Sequence, residues 1–232
     1  MTDHYAEIYA HHAEKYERLI AREDYTGNLL AALQGITLLQ ELDVIDMGAG
    51  TGRLARLLAP AARSVRAFDT SAAMLAVARA RLAAEGARNC HVAVADHRAL
   101  PVKSCSADLV ISGWSICYTV VWEQDWHAEL DRALVEMQRA ARPGGVLIIV
   151  ETQGTGCETP APPESMKPYF AYLEAEGFAS TWIRTDYRFA SVEETSELTR
   201  FFFKADMSGK LISHEPAILP ECTGIWWKRA GS

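Results

Sequence analysis

Cysteine is sparse and scattered. The five residues (Cys90, Cys105, Cys117, Cys157 and Cys222) form no CxxC pair. Neither a zinc site nor a disulfide framework is expected, and a reducing setting suits them. Long apolar runs are missing too. The strongest is short, as in "GVLIIV", so no membrane-spanning helix is expected. Basic residues are in deficit, 23 Lys and Arg against 30 Asp and Glu, for a net charge of -7. That balance argues against a general nucleic-acid binder. The opening "MTDHYAEIYAHHAEKYE" has acids and histidines where a secretory leader has an apolar core, so a cytoplasmic chain is expected. Repeats and low-complexity tracts are absent.

What is present is a core and a rhythm. Apolar residues make up 49% of 232, enough for one α/β domain. Tyr5, Ile8, Tyr9, His12, Tyr16, Leu19 and Ile20 fall at helical spacing, and a second helix is expected from Tyr25 to Leu39, with Gly35 a candidate point of interruption. Strand and helix then alternate. "LDVIDM", "SVRAFDT", "CHVAVAD", "SADLVISGW" and "VLIIVET" read as strands. "TGRLARLLAP", "SAAMLAVARARLAAEG" and "WHAELDRALVEMQRAARPGG" read as helices, with Ser71 an N-cap and Gly86 a stop. Alternation predicts a parallel, doubly wound, Rossmann-like sheet of seven strands with helices on both faces. After Thr152 the rhythm breaks into the loop "QGTGCETPAPPES", then a helix, a long strand "ASTWIRTDYRFA", another helix and a last strand "TGIWWKR". The close spacing of those strands predicts an antiparallel ending.

The stretch "VIDMGAGTGRLA" carries the chemistry. Gly48, Gly50 and Gly52 stand at alternate positions after a strand, where a ligand can approach the backbone closely. From Gly50 the letters satisfy GxGxxA, with Asp69 where a ribose-binding acid would stand, so a nicotinamide-dependent oxidoreductase fits the pattern. Counted from Gly48, however, Arg53 takes the third-glycine position, where helix packing wants a small residue. Asp46 also ends the strand, and a carboxylate there repels pyrophosphate but attracts an ammonium or sulfonium. S-adenosylmethionine satisfies these demands: a cationic amino-acid end, a ribose diol for Asp69 and no phosphate. The helix after Gly52 offers its N-terminus to the carboxylate.

The sequence resembles the class I S-adenosylmethionine-dependent methyltransferases, in the small-molecule branch with the ubiquinone/menaquinone C-methyltransferase-like enzymes. "VIDMGAGTGRLA", "VRAFDTSAAML", "VAVADHRALPV", "ADLVISGWS" and "MQRAARPGGVLIIVET" match its motifs in order, from Val44 to Thr152. The resemblance implies that Asp46 and the turn Gly48, Ala49, Gly50 and Gly52 seat the cofactor, and that Asp69 accepts from the ribose hydroxyls. It implies that Thr70 and Met74 line the adenine, that Asp96 accepts from its amine, and that His97 offers a backbone amide while its ring faces rim or solvent. Ser112 is expected beside the methionine part, with Gly113 and Trp114 opening toward the acceptor. Tyr9 and Tyr16 are expected on a cofactor lid. One domain is expected: a lid over 1–40, a cofactor core over 41–152 and an acceptor loop with sheet completion over 153–232.

Methyl transfer from a sulfonium needs alignment above all, and a base only where the nucleophile sheds a proton. His11, His12 and His127 are candidates, and the catalytic residue stays unassigned. Tyr118, Trp122 and Trp126 form an aromatic stretch suited to an acceptor wall. Residues Gln153 to Tyr169 are expected over the acceptor, with Arg184, Tyr187, Arg188 and "FFFK" nearby. "SGWS" stands where nitrogen methylases of bases and glutamine carry Asn/Asp-Pro-Pro-aromatic, and no Pro-Cys element is there for a pyrimidine adduct. A small-molecule acceptor is therefore expected. A cofactor-binding subunit without catalysis is the remaining alternative.

Overall fold

The computed structural model describes residues 4–231. In chain order it contains α1 (His4–His11), α2 (Ala13–Ile20), α3 (Asn28–Ile36), β1 (Asp43–Met47), α4 (Arg53–Leu58), β2 (Ser64–Asp69), α5 (Ala72–Ala84), β3 (Cys90–Val94) and β4 (Ala107–Gly113). It continues with α6 (Tyr118–Trp122), α7 (Trp126–Ala140), β5 (Ala141–Thr155), α8 (Lys167–Ala175), β6 (Ala179–Arg184), β7 (Tyr187–Phe189), α9 (Val192–Phe203), β8 (Ser213–His214), β9 (Ala217–Leu219) and β10 (Glu221–Arg229).

The main sheet has seven strands in the order β3-β2-β1-β4-β5-β10-β6. The first five run parallel, and β10 lies antiparallel to both β5 and β6. This is the expected doubly wound sheet with its antiparallel ending. Alternate residues feed two apolar layers, as the two-residue period of a strand requires. Ile45, Met47, Val110, Leu147 and Ile149 pack with α7 and α8, through Leu130, Met137 and Leu173. Val44, Val65, Ile111, Ile148 and Val150 pack with α3 and α4, through Leu29, Leu33, Leu54 and Leu58. Strand order reverses at β1, whose neighbours are β2 and β4. A crevice opens at the carboxyl ends of strands at such a switch point.

Several boundaries differ from expectation. The N-terminal helix is two helices, because His12 leaves helical geometry (φ -129°, ψ 30°) and the bend lays both α1 and α2 on α5. The second helix is shorter than expected, Asn28–Ile36, and runs through Gly35. The expected long strand at 179–190 is split. β6 pairs with β10 as far as Arg184, whereas β7 leaves for a second sheet, β7-β9-β8. Leu19, Tyr187, Phe189, Leu198 and Leu219 form a core of their own under that sheet, with Phe202 and Phe203 packed against it. This small sheet with α1, α2 and α9 roofs the crevice.

Candidate active site

A cavity of ≈ 280 Å³ fills the crevice. Its floor is the glycine turn. Gly48 has φ +73°, and a Cβ there would stand 1.8 Å from Ser115 Oγ. The amides of Gly48 and Ala49 both donate to the Phe68 carbonyl at 2.8 Å, which ties the turn to β2. At the end of β2, Asp69 accepts from the Gly50 and Ser71 amides, each at 2.8 Å. Burial raises the pKa of its carboxyl, and those amides offset the rise only in part. The carboxyl is thereby aimed with lone pairs to spare.

Asp46 is completely buried. One oxygen accepts from the Ala55 amide of α4 at 3.1 Å, and Oδ1 has no partner among the described residues. Burial, with a contribution from Asp69, raises its pKa to about 7. It lies under the turn rather than at its mouth, so it both braces α4 and presents an orphaned acceptor to the cavity. Arg53, in the third-glycine position, reaches forward to Glu23 at 2.7 Å and lies 4.0 Å from the Trp114 ring.

Twelve of the expected cofactor residues line the one cavity: Tyr9, Tyr16, Asp46, Gly48, Ala49, Gly50, Asp69, Thr70, Met74, Asp96, His97 and Trp114. Gly52 and Ser112 do not. Gly52 has φ +87°, and its missing Cβ would sit 3.1 Å from that of Ala78, so its smallness serves the α4–α5 contact. Ser112 is wholly buried in β4, one residue short of the opening at Gly113. Met74 underlies Gly50, its Cε 3.5 Å from where a Cβ would be. Asp96 is clasped by Arg98 at 2.9 and 2.6 Å, which holds its pKa down to about 2. The His97 ring is expected at the rim or in solvent; the residue lines the cavity, Nε2 is buried without a partner among the described residues, and burial lowers its pKa.

The lid tyrosines meet one another and the far wall. Tyr9 and Tyr118 are in hydroxyl-to-hydroxyl contact, and Tyr9 packs edge-on against Tyr16 at 5.5 Å. Ser71 Oγ donates to the Tyr9 carbonyl at 2.6 Å. Burial raises the pKa of both lid phenols, which stay neutral.

Two glutamates complete the site, and neither was among the expected residues. Glu151, near the end of β5, accepts from the Cys117 amide and from Tyr169 Oη, both at 3.1 Å. Glu221, the first residue of β10, accepts from Thr152 Oγ1 at 2.5 Å. Each is 1% exposed, and each has an Oε2 without a partner among the described residues. Burial pushes Glu151 to about 7 and Glu221, with the charge of Glu23 adding, to about 8. Tyr118, Trp122, Tyr187, Phe202 and Phe203 also line the cavity. The histidine candidates do not. His11 and His12 are exposed, and His127 stacks on Trp126 at 3.6 Å. Of the loop 153–169 only Thr155 reaches the cavity. Arg184 is tied to Asp186 at 2.7 Å, and Arg188 faces Tyr25 at 5.9 Å.

These residues fit S-adenosylmethionine. A carboxyl stands ready for a diol, an orphaned acid oxygen for a cationic group, and an aromatic lid for the adenosine. A pyrophosphate would meet the carboxyls of Asp46 and Asp69 at the turn.

Residues 45–149 match the methyltransferase domain family. A malonyl-[acyl-carrier protein] O-methyltransferase of Pectobacterium atrosepticum is 35% identical over 142 residues, 61% of this chain and 50% of that one. A ubiquinone/menaquinone biosynthesis C-methyltransferase of Hahella chejuensis is 35% identical over 47% of this chain and 42% of its own length. The chain spans about half the length of the first of these relatives and less of the second. A SAM-dependent methyltransferase of Aquifex aeolicus shares the fold with a TM-score of 0.58 and 17% identity, over 93% of this chain and 97% of its own. Over residues 45–149, with this sheet order and this glycine turn, the chain carries a methyltransferase domain and shares the fold of S-adenosylmethionine-dependent methyltransferases.

Proposed function

We propose that the whole chain transfers a methyl group from S-adenosylmethionine to a small-molecule acceptor. One observation carries the reading. A single roofed cavity runs from Asp69 and the glycine turn to a second wall, Glu151 and Glu221, that the donor's own contacts leave free. Two reactants held in one enclosed space is what a displacement in line requires.

When bound, S-adenosylmethionine supplies an electrophilic methyl group on a positively charged sulfur. Asp69 would hold its ribose, Met74, Asp96 and His97 its base, and Asp46 with the Gly48–Gly50 backbone its amino-acid end. The Tyr9–Tyr118 contact closes α1 over the cavity and keeps water out. Glu151 has a pKa near neutrality. It is the group on the acceptor side best suited to take a proton where the nucleophile sheds one.

Calorimetric titration with S-adenosylhomocysteine tests the reading. Wild-type protein should bind it. Asp69→Asn should bind it about 10- to 100-fold more weakly, because one ribose acceptor becomes a donor facing donors. Binding of NAD with none of S-adenosylhomocysteine overturns the reading in favour of an oxidoreductase.

A further inference from the structure

The acceptor wall has a surplus of acid. Glu151 and Glu221 stand on different strands, line the same cavity and are both 1% exposed. Each uses one oxygen on the protein and leaves Oε2 unpartnered among the described residues. The cationic side chains of the lining are already paired with other acids, although the charge of Arg53 reaches Glu221. Arg53 is paired with Glu23 at 2.7 Å, and Arg98 with Asp96 and Glu129, each at 2.6 Å. The remaining groups around Glu151 are the Cys117 thiol and the Tyr169 phenol, and those around Glu221 are Glu23, Arg53, Thr152, Thr155 and Tyr187. Aromatic rings complete the enclosure, among them Tyr16, Tyr187, Phe202 and Phe203.

Carboxyl groups left short of donors, set among ring faces, define the complementary ligand. An acceptor bearing a carboxylate or phosphate would bring like charge against either buried acid once that acid ionised. A plain hydrocarbon or ether would leave both Oε2 atoms unpartnered in a closed space. A nitrogen carrying several hydrogens and a positive charge satisfies the oxygens and gains attraction to the rings. We propose that the acceptor carries a basic nitrogen (an amine, amidine or guanidine) on an aromatic or apolar body, and that the acids of this wall, Glu151 and Glu221, draw that nitrogen into the cavity. The proposal rests on the methyl-transfer reading for the word acceptor, but the subsite itself stands on its own residues.

Protein saturated with S-adenosylhomocysteine is titrated with phenethylamine and with 3-phenylpropanoate, which share ring and chain and differ in charge. The amine should bind at least about tenfold more tightly. At neutral pH its binding should release protons, seen as heats that vary with the ionisation enthalpy of the buffer, because the cation favours ionised Glu151 and Glu221. Glu151→Gln with Glu221→Gln should abolish both the preference and the proton release. Each single variant should reduce the preference in part, which keeps the test in hand if the double variant misfolds. Equal binding of the two probes, tighter binding of the carboxylate, or no binding of the amine overturns the proposal. So does a preference that survives in the glutamine variants. If S-adenosylhomocysteine fails to bind while the amine preference holds, the methyl-donor reading falls and the amine subsite remains.

Discussion

Gly48 tolerates no side chain for two separate reasons: its φ of +73° and the Ser115 hydroxyl lying where a Cβ would go. Gly48→Ala should destabilise the protein by about 2–4 kcal/mol, seen as a lower midpoint in urea unfolding. Gly35 is the contrast, a helical residue of α3 with nothing within 4 Å of where a Cβ would stand. Gly35→Ala should raise stability by about 0.5–1 kcal/mol in the same assay. Legibility at this scale followed strand ends. Asp46 and Asp69 stood out because an acid closes an apolar strand. Glu151 has the same signature, closing "GVLIIVE", and could have been read the same way. Glu221 had no such mark. It follows Pro220 at the start of a strand, and only tertiary pairing brings it to the cavity.

Elements connected by short crossovers were legible, because each strand–turn–helix unit closes its own hydrogen bonds and buries its own apolar stripe. The Ser71 cap, accepting from the Met74 amide at 3.2 Å, is one example of a boundary set locally. The second sheet was not legible. Nothing in "ASTWIRTDYRFA" marks where the chain stops pairing with β10 and starts pairing with β9. The break is fixed by partners far away: the Thr185 amide donates to the Glu221 carbonyl at 3.0 Å, and Thr185 Oγ1 donates to Glu23 at 3.1 Å. The lid is likewise a pairing of distant elements. Tyr118→Phe removes the hydroxyl that meets Tyr9 while keeping the ring stacked on Trp122 at 4.6 Å. Global stability should fall by no more than about 1.5 kcal/mol. Release of S-adenosylhomocysteine should quicken several-fold in stopped flow, and α1 amides should exchange faster.

At the scale of the whole molecule, buried acids set the pH response. Asp46, Glu151 and Glu221 have pKa values raised to about 7, 7 and 8 from ordinary values of 3.8, 4.5 and 4.5. A raised acid binds its proton more tightly in the folded state. Its contribution is whole below the ordinary value and is lost as pH rises through 7 to 8. Asp43 and Asp96, lowered to about 2, contribute above 3.8 and lose that contribution as pH falls through 2. Ligand-free protein should therefore be most stable near pH 4. Its melting temperature should drop by several degrees between pH 4 and pH 8, and Glu151→Gln with Glu221→Gln should flatten that drop.

β10 sits between β5 and β6, and this position couples the order of assembly to the two halves of the cavity. The turn from Met47 to Gly52 and the acid Asp69 belong to neighbouring strands joined by one crossover, so the donor half can organise early from near neighbours in the chain. The Glu221 wall waits for the most distant pairing in the sheet, which loop closure makes slow. Until β10 arrives, β5 and β6 both present open edges, the state most prone to pair with another chain. A refolding protein should thus regain S-adenosylhomocysteine binding before it regains binding of the amine probe, and should aggregate chiefly in the interval between the two.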